Sequence, residues 1–194
     1  MPKDELIQHS VLIISASEHF DAIVKRSLPK RNYLSVEIRQ SASLARRCIL
    51  ERYYDLVIIN APLPDENGLE ISLDVIDNSN ASVLLVVPKE IYDDMTEKVT
   101  DYGVLVLPKP FHWGRIDKAI RFLTAIQNKR HHFEKKVRDM QDKMDDLRTI
   151  DKAKFMLIEK KQMTEDQAHR LIGKTAMDHG ISRKKAAIKI MDDL

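Results

Sequence analysis

The chain holds a single cysteine, Cys48, so neither an intrachain disulfide nor a Cys-based zinc site is available to it. Within Ala45-Arg46-Arg47-Cys48-Ile49-Leu50 that residue reads as a small buried helix side chain rather than a reactive thiol. Glycines number only five in 194 residues, which points toward helix. No apolar run approaches the roughly 20 residues of a membrane span, and the N-terminus, with Asp4 and Glu5, lacks the charged-then-apolar pattern of a signal peptide. A cytoplasmic protein without membrane contact is expected. Phosphate-cradling glycine loops, nucleophile elbows and His-Glu-x-x-His helices are also missing. No catalytic residue, cofactor or metal ligand is therefore assigned, and the chain reads as non-enzymatic. His131-His132 does not alter this, because adjacent helix positions do not share a face.

What is present suits a globular chain of one standard domain plus a small one, with 43% hydrophobic and 32% charged residues. Its net charge of +2 is unevenly divided. From Lys129 to Leu194 there are 17 Lys+Arg against 12 Asp+Glu, a net of +5, and the remainder carries −3. A basic C-terminal part is consistent with a polyanionic partner, although surplus lysine also serves as a solvated face.

Short apolar runs alternate with amphipathic stretches between Val11 and about Ile126. Strands are expected at Val11 to Ile14, Ser35 to Ile38, Leu56 to Ile59, Val83 to Val87 and Val104 to Leu107. Helices are expected at Glu18 to Leu28, Ser43 to Arg52, Leu69 to Asp77, Glu90 to Thr100, and from near Gly114. Continuous apolar runs indicate strands covered on both faces, hence a parallel sheet in a (βα)₅ doubly wound α/β arrangement. Right-handed crossovers place all strand C-termini on one edge.

That edge carries Ser15-Ala16-Ser17, Asn60, Val87-Pro88 and Pro108-Lys109-Pro110. Together with Asn60-x-x-Leu63-Pro64-x-x-x-Gly68 and Lys109-Pro110-Phe111, it resembles the response-regulator receiver family over roughly residues 7 to 126. The resemblance puts the family's paired metal-binding acids on Ser15 and Ala16, its phosphate-accepting aspartate on Asn60, its hydroxyl on Val87 and its lysine on Lys109. Only the lysine is kept. A neutral amide is a poor nucleophile and a weak ligand for Mg²⁺, so a degenerate receiver without phosphoryl transfer is expected. Asn60 is read as capping the loop before Gly68, and Lys109 as hydrogen-bonding Asn60 or strand-end carbonyls. The edge then remains available to a regulatory protein or small ligand.

After Gly114 no turn signal appears for more than forty residues. Phe133, Val137, Met140, Met144 and Leu147 follow one another in steps of four and three, the spacing of a coiled-coil seam. A dimerising linker helix to about Lys161 is expected, with packing onto its own receiver or tail as the competing arrangement; Arg130 interrupts the seam. Thr164-Glu165-Asp166-Gln167 fits a capping box, giving helices at Glu165 to Asp178 and, after Ser182, at Arg183 to Asp193.

The segment Ile150-Asp151-Lys152-Ala153-Lys154-Phe155-Met156-Leu157-Ile158, Thr164 to Ala168, Leu171, Ala176-Met177-Asp178, Ala187 and Ile190 resembles the ANTAR domain. Members of that family are three-helix modules that bind RNA and act in transcription antitermination, and the order receiver, coiled coil, ANTAR is a family arrangement. The resemblance divides the chain into a receiver-like domain over 1–126 and a coiled coil with ANTAR domain over 127–194. It implies RNA stem-loops as partners, with Lys152, Lys154, Arg170, Lys174, Arg183, Lys184 and Lys185 as candidate contacts. Ala153, Leu157, Ala168, Leu171 and Ala187 are expected in the core. Two positions depart from the pattern: His169 stands where an aromatic is common, and Ile172 where arginine is frequent, so one stacking and one phosphate contact are in question. The expected function is a dimeric, phosphorylation-independent RNA-binding antiterminator. The alternatives are a protein-interaction scaffold built on the degenerate receiver and coiled coil, and a DNA-binding regulator.

Overall fold

A computed structural model of the chain describes residues 8–194; Asp4 and Glu5 lie outside the described residues. The elements run β1 (His9–Ile14), α1 (Glu18–Arg26), β2 (Tyr33–Arg39), α2 (Ala42–Glu51), β3 (Leu56–Asn60), α3 (Leu69–Asn78), β4 (Ser82–Pro88), α4 (Tyr92–Val99), β5 (Leu105–Lys109), α5 (Trp113–Lys161), α6 (Glu165–Asp178) and α7 (Arg183–Asp192). They form two compact units, Met1–His131 and His132–Leu194.

In the first unit five parallel strands lie in the order β2-β1-β3-β4-β5. Because successive side chains of a strand point to opposite faces, the continuous apolar runs feed two cores. Leu12, Ile14, Val57, Ile59, Leu85 and Val87 meet α2, α3 and α4 on one face. Val11, Ile13, Ile58, Leu84 and Val86 meet α1 and the Ile116, Ile120 and Leu123 stripe of α5 on the other.

Element boundaries shift where local chemistry intervenes. The first helix stops at Arg26 instead of Leu28, since a residue preceding proline, here Leu28 before Pro29, is pushed out of the helical region. The expected helix from Glu90 begins as a 3₁₀ turn, Lys89–Ile91, directly after Pro88. The first unit extends through His131 because the Gln127 amide donates to Asn80 O and Ser82 Oγ at 2.9 and 3.0 Å, and Arg130 donates to Asn80 O at 2.7 Å.

In the second unit the end of α5 packs with α6 and α7 around Ala153, Leu157, Ala168, Ile172, Ala176, Ala186 and Ala187. Five of these seven are alanine, which lets the helix backbones approach closely but leaves a small apolar core. The capping box is complete: Gln167 N donates to Thr164 Oγ1 at 3.3 Å and Thr164 N to Gln167 Oε1 at 2.9 Å. Gly180, at φ +60, ends α6, where Ile181 N returns to Ala176 O at 3.0 Å. Ile172 is a core residue and Leu171 only partly buried, the reverse of the expected assignment. An arginine-type phosphate contact at Ile172 is thus incompatible with its buried setting in this chain.

Candidate functional site

The C-terminal ends of β1, β3, β4 and β5 bring Ser15, Asn60, Val87 and Lys109 to one edge of the sheet, with Ala16 exposed beside them. Asn60 is buried, and its Nδ2 donates to Ser15 Oγ at 3.1 Å. Ser15 Oγ also accepts from Ser17 N at 3.1 Å. Asn60 thus bonds across to β1 and not into the loop before Gly68. Its Oδ1 is buried without a hydrogen-bond partner. Val87 is wholly buried in the core and offers no hydroxyl.

Lys109 Nζ donates to Ala61 O at 2.6 Å, a strand-end carbonyl as the sequence suggested. Burial holds its pKa below the ordinary lysine value. The nearest acid in sequence, Asp65, is turned away: its two oxygens accept from Ala42 N and Ser43 N at 2.9 Å each, at the start of α2. Those backbone hydrogen bonds, Ser43 first, lower its pKa. Gly68 supports the same loop, because at φ +92 it begins α3 and an added Cβ would stand 2.9 Å from the Ala61 Cβ. The edge opens as a cleft of about 560 Å³ lined by Ala16, Ser17, Phe20, Asn60, Lys109 and Phe111 among others, none of them acidic. Hard divalent cations need carboxylate or other oxygen ligands. The cleft instead presents one cation, amide and hydroxyl groups, and aromatic surface.

In the second unit the candidate basic residues separate into two groups. Lys154 is 17% exposed and pairs with Asp151 at 3.3 Å and Glu165 at 3.5 Å; Lys184 pairs with Asp146 at 2.8 Å. Lys152, Arg170, Lys174, Arg183 and Lys185 are exposed and form no ion pair among the described residues. Arg170 and Lys174 share a face of α6. The first turn of α7 contains no acid and begins Arg183-Lys184-Lys185 after the Ser182 cap. Cations at the positive end of a helix are locally unfavourable, and the same arrangement favours a bound anion.

The sequence model of the ANTAR domain family matches residues 138–191. Residues 138–191 form an ANTAR domain. The transcriptional regulatory protein PdtaR of Mycobacterium tuberculosis is 24% identical over 141 residues, covering 72% of this chain and 68% of the relative. The response regulator ArlR of Staphylococcus haemolyticus is 30% identical over 121 residues, covering 61% of this chain and 53% of its own length. Among solved structures, the chemotaxis response regulator CheY4 of Vibrio cholerae superposes with a TM-score of 0.51 at 19% identity, covering 60% of this chain and 98% of CheY4. The first unit thus has the receiver fold ahead of the ANTAR domain. No helix among the described residues is long and apolar enough to cross a membrane.

Within the ANTAR unit, Phe155 is 71% exposed and lies three positions after Lys152, on the same side of α5. The sequence placed it in the motif without a role, and its exposure is what distinguishes it from the core. Val137, Met140, Met144 and Leu147 are each more than half exposed, as is Phe133. The apolar stripe read as a seam is therefore a surface of the single chain. One cluster had no sequence signal: His9, Asp55 and His131 converge at the N-terminal ends of β1 and β3, with His131 Nε2 2.7 Å from Asp55 Oδ1.

Proposed function

We propose that the chain is a phosphorylation-independent, non-enzymatic antitermination regulator that binds RNA stem-loops in leader transcripts as a homodimer. The ANTAR match carries this reading, and the five cations of that domain without an acidic partner support it. RNA hairpins are recognised through splayed loop bases and neighbouring phosphates. Arg170 and Lys174 on α6, with Arg183 and Lys185 at the start of α7, supply phosphate-neutralising charge. Lys152 adds another cation beside Phe155, an exposed ring on which a loop base can stack. Lys154 and Lys184 are assigned to holding the domain together through their acids.

Independence from phosphate rests on the acceptor edge. Phosphoryl transfer needs a carboxylate nucleophile and anionic metal ligands, and this edge offers Asn60, Ser15 and Ala16. Control then falls to a protein or small ligand at the receiver-like domain. Dimerisation rests on the stripe from Phe133 to Leu147, since two domains on one coiled coil raise the effective concentration for a second hairpin.

A gel shift with a two-hairpin leader RNA, run beside duplex DNA of the same sequence, tests the function. Retardation of the RNA alone supports it; retardation of the DNA alone, or of neither, contradicts it and favours a DNA-binding or scaffold role respectively.

A further inference from the structure

The geometry points to a binding site for a divalent transition metal of the Zn²⁺ type, formed by His9, Asp55 and His131 at the edge of the sheet opposite the acceptor cleft. One potential ligand atom from each residue lies within 4.8 Å of the other two. A tetrahedral ion with bonds of about 2.0–2.1 Å sets its ligands about 3.3 Å apart. Side-chain rotations of the order of an ångström therefore close the set.

Each ligand is already oriented. His9 Nε2 meets Asn128 Oδ1 at 2.9 Å. That leaves Nδ1 facing Asp55 Oδ2 at 3.7 Å, beyond hydrogen-bond distance. His9 is only 2% exposed and its Nδ1 is buried without a hydrogen-bond partner, an unsatisfied donor or acceptor of the sort that a native fold rarely keeps unless something fills the gap. Engaging one ring nitrogen with a carbonyl while the other faces the ion is the usual arrangement of a metal-binding histidine. Asp55 Oδ2 accepts from Ser10 N at 2.8 Å and Ser10 Oγ at 3.1 Å, which fixes the carboxylate plane. Its oxygens are thereby held in the space shared with the two imidazole rings.

With Asp55 ionised, His131 Nε2 is the donor in their 2.7 Å contact. Ligation by His131 calls for the tautomer that puts the lone pair on Nε2. Two imidazole nitrogens and one carboxylate select Zn²⁺, Co²⁺ or Ni²⁺ over Mg²⁺ or Ca²⁺. A bound ion would join the starts of β1 and β3 to α5 at the last residue of the first unit, a chemical input that needs neither phosphate nor RNA.

The test uses the metal-stripped full chain, without RNA. Zn²⁺ titration against a chromophoric chelator and Co²⁺ absorption are expected to give one ion per chain with a tetrahedral d–d band. His131→Ala, at a partly exposed position, and His9→Ala should each weaken binding at least about tenfold, with circular dichroism confirming that each variant is folded. His132→Ala should bind as the parent does. Failure to take up one equivalent, or uptake unchanged in folded His131→Ala, would overturn the site.

Discussion

The Asn60 side-chain amide donates to the Ser15 hydroxyl at 3.1 Å, joining β3 to β1 where the receiver fold places its acceptor and metal-binding acids. The pair is buried and built from neutral groups. Treatment with a small acyl phosphate and Mg²⁺ is expected to leave the intact mass of the protein unchanged. Asn60→Asp alone should also gain no phosphoryl group, because Ser15 and Ala16 still provide no carboxylate for the cation. A stoichiometric adduct on the parent protein would contradict the phosphate-independent account.

Lys109 makes a prediction about alkaline pH. Burial lowers its folded pKa below the ordinary value of 10.5, so as pH rises the folded state releases this proton before the unfolded state does. The unfolded chain then binds more protons, and this residue's contribution to stability increases with pH in the window just below 10.5. Denaturant melts across that window should show the parent gaining stability relative to Lys109→Met. Parallel curves would mean that Lys109 is not desolvated in solution.

Along α5, Met140 is 65% and Met144 54% exposed. Glutamate at both positions should change the stability of the isolated chain little, within about 0.5 kcal/mol for each surface substitution. It should nevertheless shift the protein from dimer to monomer in sedimentation equilibrium, since a charge at a seam position loses its burial partner. A parent that sediments as a monomer at all concentrations would remove the coiled-coil proposal.

The ANTAR helix α6 has both a strong start and a weak middle. Thr164→Ala removes one half of the capping box and should cost about 1 kcal/mol. Gly173 is helical and an added Cβ meets nothing within 4 Å, so Gly173→Ala should stabilise the domain by about 0.5–1 kcal/mol. Thermal melts of the two variants should move in opposite directions.

The fold was legible in the sequence where the signal is local. Unbroken apolar runs such as Leu56-Val57-Ile58-Ile59 can be buried only between two layers, and Thr164 with Gln167 states its own helix start. The spacing of Ala168, Ile172 and Ala176, each four apart, also contained the core stripe of α6, although the family motif points to Leu171. What could not be read depends on packing. His131 meets Asp55 across 76 positions, a contact set by how α5 lies against the sheet. Lys184 and Asp146 pair only because α7 folds back on α5. Basic residues are visible in a sequence, whereas their acidic partners are visible only when they lie one helical turn away, as Asp151 does from Lys154.

The most direct measurement is the salt dependence of stem-loop binding by the parent and by an Arg170→Ser/Lys174→Ser variant, both confirmed as folded. Removing one cation from a phosphate reduces the slope of log K against log salt by about 0.7–0.9. The account predicts weaker binding with a slope shallower by roughly 1.4–1.8 for the two cations together. Equal affinity and equal slope in the two proteins would show that α6 does not face the RNA and would contradict the proposed interface.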